Sequence, residues 1–389
     1  MTDLNRRRLL AATAALPLGL GLMPRKVLGS VPQKTLVLVE LSGGNDGLNT
    51  VVPYGDAAYY RARPKLAIKR DAVLPLDERL GLHPALEPLM EPWRGRELAV
   101  VLGLGYPAPN RSHFRSIEIW NTASQSNEVR QHGWLHQAVS EAGGLLPPQG
   151  RLGIVLGGAP GPLAGDALTA VIMKDSKQLA RAAAMAGNGT LQTANPALDH
   201  ILSVRRQTQE AARQIEARLA SAPALGASFP KTPLGRQLKQ AAALIAGGVP
   251  ASVIKVQHAG YDTHAGQAGR HPRLLGELAS SLAAFRRALR ETGAWDRCLV
   301  MTYAEFGRRV GENASAGTDH GTAAPHFLLG GRLRGGLHGH QPSLIDLDGG
   351  DLRHSLDFRQ VYAAIAAGWL GLPAGLESLG RPDPLDLFA

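Results

Sequence analysis

Apolar runs that stop abruptly at acidic and imidazole side chains constrain this chain more than any other feature. Residues 251–256 and 298–301 read as strands buried on both faces. The first runs into Gln257 and His258, then Tyr261, Asp262, Thr263 and His264. The second runs into Thr302, Glu305 and Arg308; beyond a Gly/Asn/Ser loop come Asp319 and His320, with His326, His338 and His340 close behind. Strands of this kind belong to an open α/β sheet, whose carboxyl edge is where polar groups gather for chemistry. Core packing explains such clusters poorly, because carboxylates are rarely buried unless paired or ligating. A carboxylate oxygen beside an imidazole nitrogen is a donor set that zinc and manganese accept. An Asp-His dipeptide alone reads more readily as an ordinary surface loop, and it is the second, independent Asp/His cluster that favours a metal site.

The remaining runs complete the sheet. Residues 35–41 form a strand that leads into Ser42, two glycines, Asn45 and Asp46, where the backbone can turn sharply and approach an ion closely, or simply make a turn. The Gly-Lys-Ser/Thr ending of a phosphate-binding loop is absent there. Further strands are expected at 97–103, 152–156 and 168–173. Apolar positions 114, 117 and 120 share a helix face, which puts Ser112 at a helix start. Ser112 is then either an N-cap or a nucleophile whose alkoxide a cation and the helix dipole stabilise. Residues 176–247 carry helical periodicity at 199–219 and 234–245 and read as a helical insertion or cap. Helices are also expected at 273–291 and 357–370, and Tyr54, Tyr59 and Tyr60 are placed to form a lid. The predicted fold is a mainly parallel sheet sandwiched between helices.

Residues 1–29 read as an address: Arg6, Arg7 and Arg8 precede a short apolar stretch, followed by Pro24, Arg25, Lys26 and small residues near Gly29. This predicts export by the twin-arginine translocase to the periplasm or beyond, cleavage near Gly29, and no stable membrane span afterwards. An ordinary secretory signal or a retained anchor is the alternative. The formal charge of +10 falls to +6 once the five basic residues and one acidic residue of 1–29 are removed. That excess suits a small anionic substrate or a membrane surface, and no Lys/Arg block interleaved with aromatics argues for nucleic acid. Cys298, the single cysteine, has no intramolecular disulfide partner.

The strings LSGGNDGLNTVVP, NRSHFRSIEIW, YDTHAGQ, AEFGRR and TDHGTAAPHFLLGG resemble the exported bacterial DUF1501 family over nearly the whole chain from residue 30 onward. The order Asp46, Ser112, Asp262/His264, Asp319/His320 also resembles that of metal ligands in the alkaline phosphatase superfamily, which includes sulfatases. The second resemblance implies a single alkaline phosphatase-like domain over 30–389 that hydrolyses phosphate or sulfate esters. It implies two divalent cations, zinc first with manganese, calcium or magnesium as alternatives. Asp46, Ser112, Asp319 and His320 would hold one; Asp262, His264 and one of His326, His338 or His340 the other, with His258 or His271 as substitutes for His264. Thr263 alone separates Asp262 from His264, where alkaline phosphatases place a longer spacer. Ser112 would be the nucleophile, and Arg308 and Arg115 would clamp the anionic ester. A non-catalytic binding or assembly protein on the same scaffold is the competing reading.

Overall fold

The computed structural model describes residues 34–143, 152–174 and 195–388. The expected leader and residues 176–194 of the expected insertion lie outside this set.

One sheet of nine strands organises the described chain. In chain order these are β1 (Thr35–Ser42), β2 (Leu98–Gly105), β3 (Leu152–Val155), β4 (Thr169–Ile172), β5 (Ala251–Ala259), β6 (Cys298–Tyr303), β7 (Ala324–Gly330), β8 (Gly336–His338) and β9 (Leu356–Asp357). Their spatial order is β8-β2-β7-β6-β1-β5-β3-β4, with β9 beside β2. β7 alone runs antiparallel to its neighbours, and the other pairings are parallel. All six of the apolar runs read from the sequence therefore became strands of a mainly parallel sheet.

Alternation within β1 divides the interior. Val37, Val39 and Leu41 face one core, and Leu36 and Leu38 the other. The first core is covered by α5 (Pro196–Ala220), α6 (Pro233–Ala246) and α7 (Gln267–Glu291), the last through Leu274, Leu275, Leu278, Leu282 and Phe285. The second is covered by α3 (His113–Thr122), α4 (Trp134–Glu141) and α8 (Phe358–Ala364). There Trp120 stacks on Phe358 at 4.2 Å and Trp134 on Tyr362 at 4.4 Å between ring centroids. Each such side chain contributes about 1.5–3 kcal/mol by leaving water. Two shorter helices, α1 (Ala57–Ala62) and α2 (Met90–Arg94), lie in the connection between β1 and β2.

Two expectations are corrected by this packing. The segment over 234–245 is no peripheral cap, since Leu234, Leu238, Ala241, Leu244 and Ile245 are buried in the first core. Tyr59 is no lid residue either: it is buried, its hydroxyl donating to Asn49 Oδ1 at 2.7 Å and accepting from the Ile68 amide. Among the described residues, no helix is long and apolar enough to cross a membrane.

Candidate metal centre

The carboxyl ends of β1, β5 and β6 open into three loops that Arg308 holds together. Its buried guanidinium donates to the carbonyls of Gly43, Gly44, Tyr261 and Thr318 and to Asp262 Oδ1, the last at 2.7 Å. Gly43 makes this possible. Its φ is +117°, and a Cβ there would collide with the Asp262 amide. Each nitrogen of Arg308 is thus engaged by the protein and its side chain is fully buried, so it fixes the loops and does not reach out to clamp a substrate. Arg115 is likewise closed, donating to the carbonyls of Gln125, Ser126 and Glu128 and pairing with Glu118 at 3.0 Å.

Held this way, the loops bring Asp262, His264 and His320 to one point. Asp262 Oδ1 lies 3.1 Å from His264 Nε2 and 3.4 Å from His320 Nε2, and the two Nε2 atoms are 2.9 Å apart. A fourth group arrives from α3: His113 Nε2 lies 3.7 Å from Asp262 Oδ2, and His113, Asp262 and His320 offer ligand atoms within 4.8 Å of one another.

Each imidazole is oriented from behind. His320 Nδ1–H donates to the Arg111 carbonyl at 2.9 Å, His113 Nδ1–H to Glu305 Oε1 at 2.8 Å, and His264 Nδ1–H to Asp319 Oδ1 at 3.1 Å. A carbonyl or carboxylate can only accept, so in the neutral ring the lone pair sits on Nε2, facing the cluster. Two Nε2 lone pairs and a carboxylate oxygen at these spacings repel one another unless a positive charge lies among them. A cation bound tetrahedrally at ~2.0–2.1 Å sets its ligand atoms about 3.3 Å apart, which matches the triangle of 2.9, 3.1 and 3.4 Å. The donor set therefore fits one divalent cation, and the acceptors behind the rings are the outer partners such a site uses.

Electrostatics agree. Burial, then the charges of Arg308 and His113, lower the pKa of His320 and keep it in the neutral, ligating form. Burial alone would raise Asp262, but the Arg308 hydrogen bond and charge, with His264 and His113 beside them, hold it below the usual carboxylate range. The Asn313 hydrogen bond leads the causes that lower Asp319.

Other expected ligands are placed elsewhere. Asp319 stands behind His264, so neighbouring Asp319 and His320 point to different partners. Asp46 is fully buried, its Oδ2 paired with Arg63 Nη1 at 2.6 Å and accepting from the Gln267 amide. Burial would raise its pKa; the charge and hydrogen bond of Arg63 outweigh that and lower it. The Arg63 cation thus supplies the countercharge that the resemblance gave to a metal. His326 is sealed in the second core against Trp120, where burial lowers its pKa to about 3. His338 donates from Nε2 to the Arg334 carbonyl at 2.7 Å, and His340 lies in a separate cavity. His258 pairs with Tyr261 and Glu277, and His271 with Asn45.

Ser112 is the N-cap residue of α3, exposed, and its hydroxyl makes no capping hydrogen bond. It stands between Arg111, whose carbonyl orients His320, and His113. The sequence reading missed His113 as a member of the cluster, because a histidine in the first turn of a helix looks like any other helical residue. The signal was its adjacency to Ser112 at the end of a connection leaving a buried strand.

Comparison with known proteins places the chain in a group. The family model described as a protein of unknown function, DUF1501, matches residues 105–347. No curated protein sequence matches. Among solved structures, the chain is similar to the lipoteichoic acid synthase LtaP from Listeria monocytogenes, with 10% identity, coverage of 90% of this chain and 76% of that one, and a TM-score of 0.37. It is similar to the PsFucS1 sulfatase from Pseudoalteromonas sp. at 11% identity, with 91% and 71% covered and a TM-score of 0.35. It is also similar to the alkaline phosphatase PafA at 12% identity, with 72% and 64% covered and a TM-score of 0.34.

Proposed function

The chain belongs to the DUF1501 family, and we propose that it is an exported hydrolase of phosphate or sulfate esters working at a single divalent cation. The observation that carries this reading is the convergence of the His264 and His320 Nε2 atoms with Asp262 Oδ1, each ring pinned from behind. Asp262, His264 and His320 would hold the cation, with His113 as the fourth ligand. When bound, the cation would supply Lewis-acid polarisation of an anionic ester. One cation rather than two is proposed, because Asp46 is already paired with Arg63.

Ser112 supplies the nucleophile. Its hydroxyl is uncommitted, and the residues on either side of it both reach the cluster. The Oγ attacks phosphorus or sulfur, the ester oxygen leaves as the alcohol with the serine proton, and water then hydrolyses the seryl ester. Glu305 keeps the His113 ring in one tautomer, and Asp319 does the same for His264. Export would follow the twin-arginine leader at 1–29.

Elemental analysis of the purified mature protein, paired with hydrolysis of aryl phosphates and aryl sulfates, tests the reading. About one metal per chain and turnover that disappears on chelation support it; metal with no turnover of either ester sinks the enzymatic half. A second reading, a metal-stabilised binding or assembly protein, is favoured by the closure of Arg308 and Arg115, which leaves the centre without the arginine clamp expected of an ester hydrolase.

A further inference from the structure

Two neighbouring cavities, of about 890 and 300 Å³, are lined by described residues. The two share Arg353 and His354 in their walls. The smaller is bounded by Asn110, two residues before Ser112, and by Phe306, whose ring packs 4.9 Å from His113 and 4.5 Å from His320. Phe306 thus stands between the smaller cavity and the histidines of the candidate metal centre.

Charges in the larger wall are unevenly available. Asp56 caps a helix by accepting from the Ala58 amide at 2.8 Å. Asp77 accepts from the Arg79 and Leu80 amides at 2.8 and 2.7 Å, and Asp346 pairs with Arg353 at 3.2 Å. Arg61, Arg79, His340 and His354 line the same space, and their side chains make no hydrogen bond or ion pair with the described residues. Acids turned to backbone amides beside uncommitted guanidinium and imidazole donors make a wall that receives anions. Its volume is that of a small-molecule site rather than of a single phosphate.

We propose that this groove selects esters carrying a second anionic group, the scissile ester lying at the histidine cluster and the second phosphate or sulfate held by Arg61 and Arg79. The proposal rests on the hydrolase reading for the direction in which the substrate lies, but its test reads binding. Ser112→Ala protein, loaded with metal, is titrated by calorimetry with fructose 1,6-bisphosphate and fructose 6-phosphate. A disulfated disaccharide and its monosulfated counterpart form the second arm, and inorganic phosphate is the control. The doubly charged member of at least one pair should bind about tenfold tighter or more, the worth of one or two charge-assisted hydrogen bonds. Adding Arg61→Gln and Arg79→Gln should erase that advantage and leave the singly charged member unchanged. Which pair shows the advantage identifies the anion as phosphate or sulfate. Equal affinity within both pairs, or an advantage that survives the double substitution, overturns the proposal. Arg79→Gln alone, expected to lose part of the advantage, carries the test if the double variant is unfolded. Turnover of simple aryl esters with no such advantage would remove the groove and keep the hydrolase; the advantage without turnover would do the reverse.

Discussion

The Nε2 atoms of His264 and His320 face each other at 2.9 Å although 56 positions separate the two residues in the chain. Neither strand end alone makes this contact. It exists because Arg308 ties the two loops to a third, and because Asp319 and the Arg111 carbonyl fix which nitrogen of each ring points inward.

Replacing His264 and His320 together by Ala should therefore empty the centre, from about one metal per chain to a residual trace. Asp319→Ala, which removes only the support behind His264, should weaken metal affinity roughly 10–100-fold without abolishing it. Elemental analysis and a competitive chelator titration separate the two outcomes. Equal losses from both changes would make Asp319 a direct ligand.

Gln267 links the buried Asp46–Arg63 pair to both ligand loops. Its Oε1 accepts from Thr263 at 3.0 Å and Thr318 at 2.7 Å, and its amide donates to Asp46. Gln267→Leu should cost about 1–3 kcal/mol of stability by orphaning these groups, and should weaken metal binding as well. An unfolding midpoint that falls while metal affinity stays at the parent value would show that the loops keep their places without it.

Ser112→Ala should leave stability within about 0.5 kcal/mol, since the hydroxyl makes no capping bond, while ester turnover falls by several orders of magnitude. Metal content should not change. Retained turnover would hand the nucleophile's part to water.

Asp46→Asn should be far more damaging than a surface change, because it leaves Arg63 as a buried, uncompensated cation. A loss of about 3–5 kcal/mol is expected in denaturant unfolding. A loss below 1 kcal/mol would mean that the pair can relax toward water.

Acid should unfold the protein through three buried histidines. His83 and His271 have pKa values lowered to about 4 and His326 to about 3, burial being the leading cause in each. All three bind a proton more readily when unfolded, so their contribution is complete above pH ~6.5 and is lost as pH falls from there toward 4 and 3, at up to ~1.4 kcal/mol per pH unit for each. His326→Leu should make the decline shallower over that window. A stability profile with the parent's slope in this variant would remove His326 from the account.

Much of the sheet was legible because its strands are buried on both faces, and runs such as Thr35–Ser42 and Cys298–Tyr303 leave little choice. The Asp/His clusters were legible as a site for the same reason, since each sits where such a strand stops. The assignment of partners was not legible. Asp46 meets Arg63 only because α1 and the residues after it fold back over the first loop, and no spacing announces that pairing. Likewise Arg308 reads as an open cation until three loops are seen to close around it, and His326 as a ligand until its strand is placed beneath Trp120.

The placement of β1 carries a consequence for how the chain is made. Both neighbours of this strand, β5 and β6, come late: Thr35 already bonds to Ala251, 216 residues on, and Val37 registers with both Ile254 and Val300. At ~5–20 residues per second of synthesis, the first strand waits roughly 10–45 s for its first partner. Throughout that interval a largely apolar strand lacks both of its partners in the sheet. The order of synthesis thus runs against the order of assembly, and the nascent chain is a natural client for a holding chaperone until the sheet can close around its own beginning.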